Sequence, residues 1–334
     1  MAGTFTHITL VDMLCQTGTE SDDVAPGDDE RSRQIRHALN AYSNFCELGA
    51  VSPDYPLLTP KHHNAAGWAN VMHYCRTAEW IRDGIRLLTP KDFEVPETQR
   101  CIAWLYGYAA HVVADITVHP IVEAKVGPYN DDTKLNHRTC EMNQDVYAFR
   151  MNRHADIAAA EYLRNRGIGT CCRDVNKSRD LHPAIAEFWA RILQTVPRDG
   201  LKMAPEHPRP ESDPDPCEWH GWFVTIIDRF ADEGRWLPYF ARHGADRVGI
   251  TYPEYNPDRP DFQSYVNGLR TPQGQPIAYD DVFAKARENV KAAWIQISEA
   301  LICDDPEKFV LADANLDTGK ALGTNTSIYW GDGQ

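Results

Sequence analysis

The sequence predicts an all-α fold, a multi-helix bundle joined by long proline-rich loops. Three observations carry that expectation. No set of alternating polar and apolar runs marks strands, and no internal repeat stands out. Several windows have helical spacing, most clearly residues 280–303 within YDDVFAKARENVKAAWIQISEALI. The apolar run that starts at Cys101, CIAWLYGYAAHVVADITVHP, has the length and apolar density of a buried helix. With 334 residues the chain can bury a large core, and we read residues 1–334 as one helical domain.

In chain order, residues 1–15 read as a helix start, with Thr6 placed to cap it and His7 in the first turn. Residues 18–32 are an acidic, turn-rich loop, and residues 33–49 have helical spacing. Two prolines bracket Asp54-Tyr55 in GAVSPDYPLLTP, which predicts an extended segment with Asp54 as a helix cap or a site residue. Residues 61–88 read as an amphipathic helix with His73 among Trp68, Met72 and Trp80; a lone histidine there is more often a core residue than a ligand. His62-His63, upstream, is a weaker candidate. Residues 89–99 are a linker. The central apolar helix ends near Pro120, with Gly127-Pro128 as the turn of the loop beyond. A second helix opens at His137 and runs to about Arg166. Residues 185–196 are a short helix and 197–218 a Pro- and charge-rich loop or insertion. The C-terminal part, 219–311, is helical over 219–242 and 280–303, and the tail 312–334 is irregular.

The central helix carries the chemistry. His111, Asp115 and His119 recur every four residues, each step advancing about 400° and rising about 6 Å, so all three share one face. His111 and His119 are then about 12 Å apart along the axis, too far to share one ion, and Asp115 between them is the natural bridge. For this stretch alone, a buried His–Asp hydrogen bond beside an unrelated histidine explains the residues equally well. Unpartnered polar groups in a core are costly, however, so the question is whether the chain supplies partners. His137 and Glu141 form a second pair four apart, with Asp145 continuing the stripe; taken alone, that pair reads as a surface ion pair.

Composition narrows the classes. A net charge of −14 argues against a broad nucleic-acid footprint but not against a phosphate ester, since bound dications would reverse the local field. No apolar stretch of about 20 residues reads as a membrane span, and the N-terminus is not a signal peptide. Nine scattered cysteines without a CxxC pair argue for free thiols and a reducing cytoplasm.

The ordered motifs THITL, SPDYP, MHYCRTAEW, HVVADITVHP and HRTCE together resemble the zinc-dependent phospholipase C family, related to the single-strand-specific zinc nucleases. The resemblance covers roughly residues 1–165. It implies an all-helical bundle with a multinuclear zinc cleft holding two or three ions. One ion would be held by His73, His111 and Asp115, with Asp54 beside it, and a second by His119, His137 and Glu141. A third would be shared through Asp115 with His7 and the N-terminal amine. The chain departs from secreted members in spacing His119 only four residues after Asp115 and in beginning with Met1 rather than a processed Trp.

His and carboxylate donors together suit zinc, which acidifies bound water and polarises phosphoryl oxygens. Asp54 is placed as general base. Tyr55 and Trp68 could contact a quaternary ammonium head group, although packing is the commoner role for each. The expected function is a phospholipase C-like phosphodiester hydrolase acting on a phospholipid, with loops Pro53–Pro60 and Gly127–Asn136 framing its approach. The alternatives are a zinc nuclease or phosphomonoesterase using the same ions, or a metal-stabilised helical scaffold without turnover. The absence of a basic, aromatic-rich stripe weighs against the nuclease.

Overall fold

The computed structural model describes residues 3–16, 24–60, 65–153, 167–177, 179–233 and 253–331. Four expectations fall partly or wholly outside them: the start of the acidic loop (17–23), His62 and His63, the end of the second motif helix (154–166), and the stretch 234–252.

Among the described residues the fold is all-α. The helices are α1 Thr4–Gln16, α2 Glu30–Ala41, α3 Ser43–Val51, α4 Ala66–Tyr74, α5 Glu79–Leu88, α6 Pro96–Val126, α7 Lys134–Arg153, α8 Ile168–Cys171, α9 Pro183–Leu193, α10 Pro216–Glu233, α11 Pro260–Val266 and α12 Tyr279–Ile302. Strands are confined to two antiparallel hairpins of two residues per strand, pairing Leu269 with Ile277 and Ala314 with Ala321. All nine cysteines are free.

Helix α6 is the axis of the bundle. Pro96 opens it at a position where the missing N–H costs nothing, and Gly127, at φ 90°, ends it. It is long and apolar enough to cross a bilayer, but its apolar window is wholly buried by the helices around it. Helix α3 crosses it backbone to backbone. A Cβ on Gly49 would stand 2.0 Å from the Trp104 carbonyl oxygen, and one on Gly107 would stand 1.9 Å from that of Cys46. Only a pair of glycines permits this approach, and it brings the Ala50 carbonyl of α3 onto His111 of α6. Helix α12 packs on the same axis, where the Trp294 indole N–H donates to the Tyr106 carbonyl at 2.9 Å.

Several local expectations need correction. Thr6 does not cap α1; it lies inside the helix, and its hydroxyl pairs with that of Tyr279 at 2.9 Å. The cap comes from α7, where the Asp145 carboxylate accepts from the N–H groups of Phe5 (3.2 Å) and Thr6 (2.8 Å). Asp145 thus anchors the helix that carries His7. The SPDYP segment is a 3-10 helix, Ser52–Leu58, not an extended loop. The expected helix over 61–88 is broken between Tyr74 and Glu79. Arg76 takes φ 54° there, and the Asp313 carboxylate accepts from Ala78 N–H (2.8 Å) and Glu79 N–H (3.1 Å), so α5 begins under a cap from a remote segment. Pro120 does not end α6. The helix continues to Val126, because Ile121 and Val122 are fully buried and hold the last turns in place.

The expected head-group contact at Tyr55 is also corrected. Its ring is fully buried, stacked on Phe223 at 4.8 Å and on His220 at 5.9 Å. A ring without exposed surface cannot receive a ligand cation. Trp68 is likewise buried and donates its indole N–H to the Ser212 carbonyl at 2.9 Å. It lines a cleft of about 460 Å³ with Leu193, Gln194, Arg198, Asp199 and Asp213, and this cleft includes none of the expected metal ligands.

His220 is fully buried, and neither ring nitrogen has a hydrogen-bond partner among the described residues. Burial pushes its pKa down to about 4. Between that value and the ordinary 6.5 the unfolded chain binds the proton and the folded chain does not, so stability falls as pH drops through this window. At about 1.4 kcal/mol per pKa unit, the loss by pH 5 is about 2 kcal/mol. His220→Phe keeps the stacking and should stabilise the protein by about that much more at pH 5 than at pH 7. Urea unfolding at the two pH values measures it, and an equal effect at both would refute the assignment.

Candidate metal centre

Four elements deliver the site. Helix α1 brings His7, the 3-10 helix brings Asp54, the last turn of α4 brings His73, and α6 brings His111, Asp115 and His119. All six are buried, from 0% exposure at His111 and Asp115 to 4% at His119. The four-residue spacing on α6 places His111 and His119 on either side of Asp115, each 3.3 Å from a different oxygen of its carboxylate.

The two oxygens face two donor sets. Oδ2 of Asp115 lies 3.3 Å from Nε2 of His111 and 3.9 Å from Nε2 of His73. The two imidazole nitrogens are 3.4 Å apart, and Asp54 Oδ1 is 3.2 Å from that of His73. Oδ1 of Asp115 lies 3.2 Å from Nε2 of His7 and 3.3 Å from Nε2 of His119. Two groups of three donors have all their ligand atoms within 4.8 Å of one another: His7, His111 and Asp115, and Asp54, His73 and His111.

The ring orientations are set from outside. Nδ1–H of His73 donates to the Ala69 carbonyl one turn earlier, at 2.7 Å, and Nδ1–H of His111 donates to the Ala50 carbonyl at 2.8 Å. In the neutral ring each Nε2 is then an acceptor turned to the centre. His7 stacks on His111 with centroids 4.3 Å apart.

This donor set fits zinc. Two donors about 2.1 Å from a tetrahedral ion are about 3.4 Å apart, which is the spacing found between neighbouring donors here. Among the described residues, both ring nitrogens of His7, Oδ1 of Asp54 and Nε2 of His119 form no hydrogen bond, whereas Nε2 of His111 and Nε2 of His73 lie within hydrogen-bond distance of each other at 3.4 Å. Buried polar atoms that converge without bonding one another call for a common partner.

The electrostatics agree. Burial disfavours a charged Asp115, yet His119 and His111 outweigh it and hold the carboxyl well below the usual range. Burial likewise opposes ionisation of Asp54, and His111 and His73 overcome it, so its pKa is lowered. Burial also works against a charged His111, but Asp115 and Asp54 raise its pKa. His7 is pushed down, by burial first and then by His111.

His137 and Glu141 are buried on α7 but belong to neither three-donor group among the described residues. Nε2–H of His137 donates to the Gly127 carbonyl at 2.6 Å, so any ligation would use Nδ1. The sequence reading missed Asp317. Its Oδ1 lies 3.5 Å from Nδ1 of His119, and its Oδ2 accepts from the Tyr74 hydroxyl at 2.5 Å. No motif marks this residue, which stands in a tail without helical periodicity.

Comparison with known families decides the assignment. The family model for zinc dependent phospholipase C matches residues 6–199, more than half of the chain. The chain belongs to the zinc-dependent phospholipase C family. The match spans every motif from THITL to HRTCE and extends past them. Neither a curated protein nor a solved structure matches the chain. Members of this family are zinc-dependent hydrolases of the phosphodiesterase type, and the buried His and Asp groups of this chain could hold such a metal.

Proposed function

We propose that the protein hydrolyses a phospholipid phosphodiester at a centre of two or three zinc ions. The observation that carries this reading is Asp115, whose two carboxylate oxygens face two separate donor sets. A single-ion site needs no such arrangement. His73, His111 and Asp115 would hold one ion, with Asp54 beside it, while His7 and His119 lie near the other carboxylate oxygen of Asp115. His137, through Nδ1, and Glu141 would hold an ion together with His119.

Bound zinc supplies Lewis acidity and lowers the pKa of water to about 7. The residues do the rest. Asp115 keeps its charge in a buried setting and so neutralises part of the dication charge. Asp54, ionised at neutral pH, accepts a proton from the attacking water. Nδ1 contacts to Ala69 and Ala50 hold His73 and His111 in the ligating tautomer.

Purified protein should contain two or three zinc ions per chain, and chelation should abolish hydrolysis and lower the melting temperature. The assay offers phosphatidylcholine, single-stranded DNA and an aryl phosphodiester side by side. Release of diacylglycerol with little cleavage of DNA is the expected result. Preference for DNA would replace the phospholipase reading with a nuclease. Inertness toward all three, with zinc in place, would leave a metal-stabilised scaffold.

A further inference from the structure

We propose that Asp317, delivered by the C-terminal segment, is a positioning residue of the metal centre that holds His119 from outside. The proposal rests on the zinc reading of the site. Asp317 lies beyond the residues that the family model matches, 6–199.

His119 stands between two carboxylates. Its Nε2 is 3.3 Å from Asp115 and its Nδ1 is 3.5 Å from Asp317 Oδ1. His73 and His111 give the same outer nitrogen to main-chain carbonyls, so His119 is the ligand candidate whose outer contact is a charged group. A carboxylate behind an imidazole fixes the tautomer and raises the basicity of the nitrogen that binds metal. Asp317 is itself held. The Tyr74 hydroxyl donates to its Oδ2 at 2.5 Å, and its own N–H donates to the Asn315 side chain at 2.9 Å.

The segment around it is fastened to α4 and α6, two of the four elements that carry the ligand candidates. Leu316 N–H donates to the carbonyl of His73 at 3.0 Å. Pro120 has no N–H for the Ile116 carbonyl, and Gly319 packs there so closely that a Cβ would stand 2.5 Å from that oxygen. The Trp330 indole N–H donates to the carbonyl of Thr117 at 2.7 Å. The proline inside α6 therefore marks where the C-terminal segment docks, one residue past His119.

Chelator competition on the full-length protein tests the assignment. Asp317→Ala should weaken the loosest-bound zinc by about 10–100-fold, with Asp317→Asn between it and wild type. The absorption spectrum of the cobalt-substituted protein should change in the same variants, a signature that loss of packing would not produce. Asp313→Ala is the control: it removes the acceptor that caps α5 from the same segment without touching a ligand, and should lower the melting temperature while leaving zinc affinity unchanged. A folded Asp317→Ala with wild-type affinity and cobalt spectrum would overturn the proposal. Should that variant fail to fold, Tyr74→Phe decides, since it keeps the carboxylate and removes its hydroxyl donor. A several-fold loss of zinc affinity supports the proposal, and no loss refutes it. Wild-type protein that binds no zinc would sink the reading of the centre itself, whatever Asp317 does.

Discussion

Asp115→Asn will empty the metal centre, lower the melting temperature by roughly 5–10 °C in the presence of zinc, and reduce turnover by at least about 10³-fold. The reason lies in how the residue is used. Its side chain has no exposure, and its oxygens lie 3.2–3.3 Å from three imidazoles on two helices. The amide of asparagine has one acceptor oxygen in place of two and carries no charge, so it can neither serve both donor sets nor balance the charge of the ions. Zinc bound at a thousandfold excess over its dissociation constant stabilises the native state by about 4 kcal/mol, and that contribution is lost with the ions. Zinc analysis of the purified variant, thermal melts with and without chelator, and initial rates together check the expectation. The decisive comparison is the melt: chelator should shift the wild-type protein and leave the variant where it is. A variant with full zinc content and a wild-type melting temperature would show that Asp115 is not the bridge.

The second large effect is expected at Asp54. Asp54→Asn should keep most of the zinc and lose turnover by about 10²–10⁴-fold. Its Oδ1 is 3.2 Å from His73 Nε2, within donor distance of the His73–His111 set, so proximity alone does not separate a ligand from a base. The variant does. Loss of an ion with Asp54→Asn would make it a ligand, whereas retained zinc with lost turnover leaves the proton-accepting role. The pH profile adds a second discriminator. His111 and His73 hold the Asp54 carboxyl below its ordinary value against the opposing effect of burial, so it stays ionised down into acid. Substituting it should lower the plateau of the rate profile and leave the acid limb near neutrality unmoved. Displacement of that limb by a full pH unit would mean that Asp54 is not the group working on the plateau.

The helical spacing of HVVADITVHP was enough to place His111, Asp115 and His119 on one face with Asp115 between the two histidines, because side-chain periodicity in a helix is a local property. The same local rules set the all-α class and the position of α12, and the ordered motifs pointed to the family. What they could not reach depends on contacts between residues far apart in the chain. Nothing near Thr6 reveals that Asp145, about 140 residues on, will cap α1, or that Asp313 will break the helix expected over 61–88 by capping a new one. Tyr55 follows Asp54 in sequence but turns into the aromatic cluster with Phe223 and His220, since neighbours in a 3-10 turn point in different directions. Pro120 looks like a helix end until the burial of Ile121 and Val122 is known, and burial is a property of the assembled bundle. Asp317 has no periodicity and no motif around it. It joins His119 only because the tail packs back across α6, and such pairing is chosen by the shape and free hydrogen-bonding groups of a surface that exists only after the helices have come together.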